Sequence, residues 1–518
     1  MIPFRAAVFA AFCLCAAAVS ATADEVTLTS REGTVTISGE LLGYDGEFYR
    51  LSTQYGILTV DGTRVECGGE GCPDVDAYVA EVGFAGAQRM GEVLMPALIE
   101  SFAIRNGLNL SRDDTGSDDF TYVLRDPEAD RVVGRFGFRL HSSAEGFADL
   151  VAEEADIVMS LRPVLAREAR LARTAGLGDL VSGDRARIVA LDAVVPLVAL
   201  SNPVRDISLE DLRAAFRGEI GSWAELGGPD QPIALHAMAP GMGIAQSATV
   251  DIGEDVLESN DAITRHESAR DLASAVADDP DALGIGSFIE QGDAVPLALR
   301  GPCGTSSQAS ETTLKTEDYP LTAPMFLYTP AVRLPRLARE FMSFAGSPAA
   351  QPVIERAGFV DQFPRAIPLD DQGERFANAI RRAGVETDLQ DLQQLVSALS
   401  GKSRLTLTFR FENASSALDA QSRSNVALLS AALERGVFDQ RSLVFVGFGD
   451  GAGPAGINRR LSNSRARTVR DAVRASAESA DPDRVNLRVE AFGEAMPMAC
   501  DETAWGRRVN RRVEVWIE

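Results

Sequence analysis

The stretch over residues 443–516 constrains this chain more than any other. It opens on the apolar run "LVFVGF" and stops in "GDGAG", whose glycines accept positive φ, so the pattern predicts a strand that delivers Asp450 at its end. Beyond the extended segment "RRLS", a helix is expected from about Asn463, with Ser462 as its N-cap, Arg465 near its start and Ala466, Val469 and Val473 as its apolar stripe. Asn510, Arg511 and Arg512 then precede a last strand. A carboxylate and a guanidinium at neighbouring element ends suit a zwitterion: the acid takes an ammonium and the arginine grips a carboxylate with two N–H groups. The same pair also fits a surface ion pair or a turn cap.

The order and spacing of Asp450, Asn458, Leu461, Ser462, Arg465, Ala466, Asn510, Arg511, Arg512, Val513 and Glu514 resemble the OmpA-like domain, by which many envelope proteins of Gram-negative bacteria hold peptidoglycan. The resemblance runs from about Arg404 to Glu518. It implies an α/β sandwich of two strand–helix units and a closing strand. It also implies that Asp450 and Arg465 grip the amine and carboxylate of diaminopimelate in the peptide stem, within a binding set of Asp450, Asn458, Leu461, Arg465, Asn510 and Arg511. Phe448 and Gly449 stand where the family carries His-Thr. Residues 497–505, with Cys500, are expected as an irregular loop near the binding edge.

At 518 residues the chain exceeds one ordinary core, and its 45% apolar and 24% charged content describes a globular protein of two or three domains. A formal charge of −25 argues against nucleic acid partners and against adhesion to an anionic membrane surface. Residues 1–23 read as a secretory signal: Arg5, an apolar run, then Ala21-Thr22-Ala23 as a cleavage site before Asp24. No internal run is long and apolar enough to span a bilayer. Beyond the leader lie Cys67, Cys72, Cys303 and Cys500. Cys67 and Cys72 are expected to close a small disulfide loop in an oxidising compartment, while Cys303 and Cys500 are open to pairing or to remaining free. Without a second close pair of cysteines, and with few histidines, no zinc site is expected.

Residues 24–74 alternate apolar and polar side chains between Gly/Asp turns and predict a small β domain, a meander closing as a minor barrel. From residue 75 to 362 short apolar strands alternate with amphipathic helices, the pattern of a two-lobed α/β domain. Its segments "GAQRMG", "ADIVMSLRP", "LDAVVPLVALSNPVRDISLEDLRAAFRGEIGSWAEL", "PGMGIAQS" and "ALGIGSFIE" resemble the periplasmic phosphate-binding receptors of the PstS family. That resemblance implies a periplasmic-binding-protein type II-like fold, with an anion held by loop hydroxyls, by N–H groups at helix starts, by an arginine and by a proton-accepting acid. The candidate ligand residues are Ala87, Gln88 and Arg89 in the first loop, Ser160 and Arg162 in the second, and Gly241 and Gly243 in the third. The family's acid is replaced by Leu161, and Met238, Met242 and Ile244 stand in a loop that the family fills with an arginine and hydroxyls. Each lost hydroxyl removes a bond worth about 1–3 kcal/mol to an anion.

Residues 363–403 predict two short amphipathic helices as a linker, and 404–518 form the OmpA-like domain. His236 has no catalytic partner or metal spacing in the sequence, and no nucleophile or paired-acid constellation stands out. The expectation is therefore a multidomain α/β protein: a small N-terminal β domain, a two-lobed receptor-like domain and a C-terminal OmpA-like sandwich. It is expected to be non-enzymatic, periplasmic and cell-wall associated, without cofactor or metal. Expected partners are peptidoglycan through its diaminopimelate stem peptide, a small anion such as phosphate, and an envelope protein or transporter. The alternatives are the phosphate-binding subunit of an ABC importer, or a structural envelope adaptor with a degenerate cleft.

Overall fold

The computed structural model describes residues 25–518 except 117, 183–184, 254–255, 258–259, 384–386, 413–416 and 482. The expected secretory leader lies outside the described residues. The chain divides after Tyr78 into two units, each described by itself.

In the first unit, alternation along β1 (Glu25–Ser30) turns Val26 and Leu28 inward. They meet Tyr49 and Leu51 of β3 (Phe48–Thr53), reached through β2 (Thr36–Tyr44). β4 (Gly56–Asp61) and β5 (Val65–Gly68) complete an antiparallel sheet of order β4-β3-β2-β1-β5. β4 and β5 stay at opposite edges, so the sheet is open and not the minor barrel expected, which needs its two edges to pair. A disulfide joins Cys67, in β5, to Cys72.

The second unit begins with a lobe of β6 (Ala80–Ala87), α1 (Met95–Arg105), β7 (Asn109–Asp114), β8 (Asp119–Asp126), β9 (Arg131–His141), α2 (Ser143–Val151), β10 (Ile157–Ser160) and α3 (Ala166–Thr174). β11 (Ala186–Val198) leads into the second lobe. That lobe comprises β12 (Asp206–Ser208), α4 (Leu209–Phe216), β13 (Ala234–Met238), α5 (Ala245–Ala248), β14 (Thr264–His266), α6 (Ala269–Asp278) and β15 (Ala282–Ser287), with the short strands β16 (Val295–Pro296), β17 (Ala298–Arg300) and β18 (Ser306–Ser307). After α7 (Glu311–Lys315), β19 (Thr322–Tyr328) runs back to the first lobe, where α8 (Arg336–Ala345) and α9 (Gln351–Arg356) pack on Phe84, Phe102 and Phe136.

The two long strands make the junction between the lobes. β11 pairs antiparallel with β19 through Ala193 and then with β15 from Val194, so one continuous sheet of order β14-β13-β15-β11-β19-β10-β6-β9-β8-β7 crosses both lobes. Its unbroken apolar run "IVALDAVVPLV" suits a strand buried on both faces.

The C-terminal sheet has order β20-β21-β24-β22-β23, from β20 (Ala366–Pro368), β21 (Ser403–Phe409), β22 (Ser442–Phe448), β23 (Asn486–Gly493) and β24 (Val513–Ile517). Period-2 alternation sorts its faces. Leu443, Phe445, Val513 and Val515 pack under α12 (Ala420–Glu434) and α13 (Ala455–Ser476). Val444, Val446, Phe448 and Trp516 face α10 (Gly373–Arg382) and α11 (Leu389–Leu399). The stretch 363–403 thus supplies an edge strand and the second helical layer of this sheet. Among the described residues no helix is long and apolar enough to cross a membrane.

Candidate functional site

β22 ends at Phe448, and Asp450 follows in the glycine turn with its carboxylate largely buried. Arg511, just beyond the short helix α14 (Ala504–Asn510), donates from Nη1 to Asp450 Oδ2 at 2.5 Å. Asp450 Oδ1 has no hydrogen-bond partner among the described residues. Arg465 has its guanidinium 5.7 Å from the Phe411 ring centroid and makes no hydrogen bond or ion pair among the described residues. Burial, and then repulsion from Arg511, pull the Arg465 pKa below the usual guanidinium value, while Asp450 opposes them. The structure therefore gathers Asp450, Arg465 and Arg511 from three separate elements, with one carboxylate oxygen and one guanidinium uncommitted.

The helix that carries Arg465 starts well before Asn463: α13 begins at Ala455 behind Pro454, and Ser462 lies inside it, not at its N-cap. The buried face runs Asn458, Ser462, Ala466, Val469, Val473, so the helical period continues through two polar residues that read as loop. Ser462 fits because its Oγ donates to Arg459 O at 3.0 Å and accepts from Gly493 N at 3.3 Å. A Cβ at Gly447 would lie 2.1 Å from Ser462 O, so a glycine is required where β22 passes the helix.

Asn458 donates from Nδ2 to Glu494 Oε2 at 2.8 Å, which ties the first turn of α13 to the end of β23. Asn510 is fully buried; its Oδ1 accepts from Met498 N and Ala499 N, and its Nδ2 donates to Ala499 O and Asp501 Oδ1. Asp501 in turn accepts from Gly451 N at 2.9 Å, so Asn510 braces the loop beside the Asp450 turn and presents no free group of its own. Leu461 is exposed on α13.

The cleft between the two lobes has another character. Ser160 ends β10 fully buried, donating to Arg162 O at 2.7 Å. Arg162 grips Glu168 of α3 with both Nη groups, at 2.9 and 2.7 Å. The Ser160 hydroxyl and both Nη groups of Arg162 are thus committed within the first lobe. In the first loop Ala87 ends β6, Gln88 donates to Glu92 at 2.7 Å, and Arg89 pairs with Glu290 at 3.3 Å. Gly241 and Gly243 take left-handed φ values of 76° and 44° in the third loop.

That loop leads to Gln246, whose Oε1 accepts from Ser143 N at 2.7 Å at the start of α2, while Ser247 Oγ donates to Leu161 O. A side-chain oxygen of the second lobe thus occupies the N–H at the start of α2. The segment "PGMGIAQS" ends in Gln246 and Ser247, but their partners lie on the opposite lobe and only the structure brings them together. His236, on β13, meets His266, on β14, with Nδ1 and Nε2 3.0 Å apart; burial first, and then His266, lower the His236 pKa.

The two large domains of the second unit meet through buried charge. Arg404 donates to Asp318 at 2.7 Å, Arg410 pairs with Glu317 at 2.8 Å, and Gln421 donates to Gln362 at 3.0 Å. Arg375, Arg404 and Arg512 surround Glu514 on β24. A disulfide joins Cys303 to Cys500, deciding a pairing that the sequence left open.

Residues 138–349 match the PBP superfamily domain and residues 410–511 match the OmpA family. The chain is 30% identical over 187 residues to the phosphate-binding protein PstS of Bacillus subtilis, which covers 35% of this chain and 60% of that protein. It is 31% identical over 115 residues to outer membrane porin F of Pseudomonas aeruginosa, which covers 22% of this chain and 31% of that protein. The chain thus spans less than two thirds of the length of either relative. Among solved structures, an ABC-type phosphate transport receptor from Vibrio cholerae aligns at 18% identity with a TM-score of 0.42, over 54% of this chain and 99% of that one.

Proposed function

We propose that this chain, a PBP-like domain fused to a C-terminal OmpA-like domain, is a non-enzymatic periplasmic protein held noncovalently to peptidoglycan. The observation that carries the reading is the meeting of Asp450, Arg465 and Arg511. Arg511 fixes one oxygen of Asp450, leaving Oδ1 to accept an ammonium. Arg465, with no counter-ion in contact, donates to a carboxylate. A residue such as diaminopimelate, with an amine and a carboxylate on one carbon, spans the two. Both domain types support a periplasmic, cell-wall-associated location. Sedimentation with purified peptidoglycan tests the anchor: wild type should pellet and D450A/R465A should stay in solution, and equal pelleting would refute it.

For the PBP-like domain, the contacts of Gln246 with Ser143 and of Ser247 with Leu161 favour an adaptor role over that of a phosphate receptor for an importer. The Bacillus subtilis relative is a phosphate-binding protein. Here the acid of the second loop is Leu161, and the arginine beside it is committed to Glu168. An envelope protein or transporter is the partner class this reading leaves for the domain. Loss of such a partner in a pulldown on altering the cleft, with phosphate giving no calorimetric heat, would support it.

A further inference from the structure

We propose that the cavity between the PBP-like and OmpA-like domains is a peptide subsite, taking the peptide that continues from the zwitterion held at Asp450 and Arg465. The inference rests on the wall-binding reading above and makes the PBP-like domain the second wall of that site. The cavity has a volume of about 500 Å³, within the range of pockets that enclose small ligands. Phe326 and Tyr328 of β19 line it from one domain, and Phe411 and Trp505 from the other. Its shape is preformed, because the Cys303–Cys500 disulfide and the Arg404–Asp318 pair fix one domain against the other.

The cavity adjoins the clamp. Phe411 lines it and also lies under the Arg465 guanidinium. Helix α14 lines it with Trp505 and Arg508 and leads directly to Arg511, which holds Asp450.

The chemistry of the walls selects a peptide. Eight buried side-chain polar atoms among the described residues lack a hydrogen-bond partner, and four of them belong to residues that line this cavity: Arg410 Nε, Arg423 Nε, Glu317 Oε1 and Gln421 Oε1. The two nitrogens are donors, Gln421 Oε1 is an acceptor, and Glu317 Oε1 accepts or donates according to its protonation. All four atoms are buried in residues that form the cavity wall. A fully ionised inorganic anion offers only acceptors and would leave Gln421 unanswered. Each peptide unit offers one N–H and one C=O, matching both kinds, and the aromatic walls suit short apolar side chains.

Calorimetry on the full chain tests this with two ligands, free diaminopimelate and a synthetic stem tripeptide that contains it. Wild type should bind the tripeptide at least about tenfold more tightly than the free amino acid. Val250→Trp fills the cavity from an exposed rim position of the PBP-like domain. It should bring the tripeptide down to the affinity of diaminopimelate while leaving diaminopimelate binding unchanged, which also reports that the clamp is folded. Trp505→Ala should weaken the tripeptide selectively in the same way. Equal affinities in wild type, or tripeptide binding untouched by both variants, would overturn the subsite and leave the clamp standing. Failure of wild type to bind either ligand would overturn the clamp itself and the subsite with it.

Discussion

Arg511 donates from Nη1 to Asp450 Oδ2 at 2.5 Å, so the acid proposed to receive the ligand's ammonium is already aimed by a cation from another element. This separates a residue that touches the ligand from one that positions it. D450A should abolish retention on peptidoglycan. R511A should weaken it by about 10- to 100-fold, the worth of one charge-assisted hydrogen bond of roughly 1.5–3 kcal/mol. R511K, which keeps the charge but loses the planar fork, should recover part of the binding. Titration of soluble protein against a fixed mass of peptidoglycan reads all three, and an R511A variant that binds like wild type would remove Arg511 from the clamp.

The Cys303–Cys500 disulfide spans a sequence separation of 197 residues, against 5 for Cys67–Cys72. A cross-link that closes the longer loop restricts the unfolded chain more. C303S/C500S should therefore destabilise the second unit by about 2–5 kcal/mol, and C67S/C72S should cost less. Scanning calorimetry with and without a dithiol reductant checks this, and an unchanged melting temperature for C303S/C500S would contradict it.

The Gln246–Ser143 contact makes a prediction for the cleft. With that helix-start N–H occupied and Arg162 committed to Glu168, phosphate should bind wild type no more tightly than about 1 mM, about 4 kcal/mol of binding free energy. Q246A frees the Ser143 N–H and should raise phosphate affinity without reaching micromolar, because Leu161 still supplies no proton acceptor. A micromolar constant for wild type would restore the receptor reading.

What could be read from the sequence follows from what is local. The strand before Asp450 was legible because apolar alternation and a glycine turn are near-neighbour signals. The start of α13 was not, because Asn458 and Ser462 interrupt the apolar stripe although both are buried. Their burial is explained only by Glu494, Arg459 and Gly493, two of which lie on another element. The commitment of Arg162 to Glu168 lay within one loop and helix, whereas Gln246 meets Ser143 only once the lobes pack. Charged residues at 404 and 410 look solvent-facing; they are buried because Asp318 and Glu317 arrive from the other domain, while Glu514 is buried among Arg375, Arg404 and Arg512 of its own domain.

Two buried acids set the pH dependence of stability. Burial pushes the Glu317 pKa up to about 7, with Arg410 opposing and Asp419 and Asp318 adding to the rise; its side chain is 17% exposed, so solvent screens part of the effect. Burial likewise raises Asp192 to about 6, against hydrogen bonds from Ser287, Ala193 and Ile289 and with Glu290 adding to the rise. Both acids keep their proton in the folded chain at pH values where the unfolded chain has released it. The folded state then binds more protons, and stability falls as pH rises from about 4 to 7, levelling above that. Glu514 acts in the opposite sense. Burial works to raise its pKa, but Arg375, Arg404 and Arg512 outweigh it, so its contribution is lost only as pH falls below the ordinary carboxylate range. The melting temperature should therefore peak near about pH 4. E317Q should flatten the decline toward pH 7, and D192N the part between about pH 4 and 6. Calorimetry from about pH 2 to 9 checks both limbs, and a melting temperature that climbs steadily to pH 8 would show that neither acid holds its proton in the folded chain.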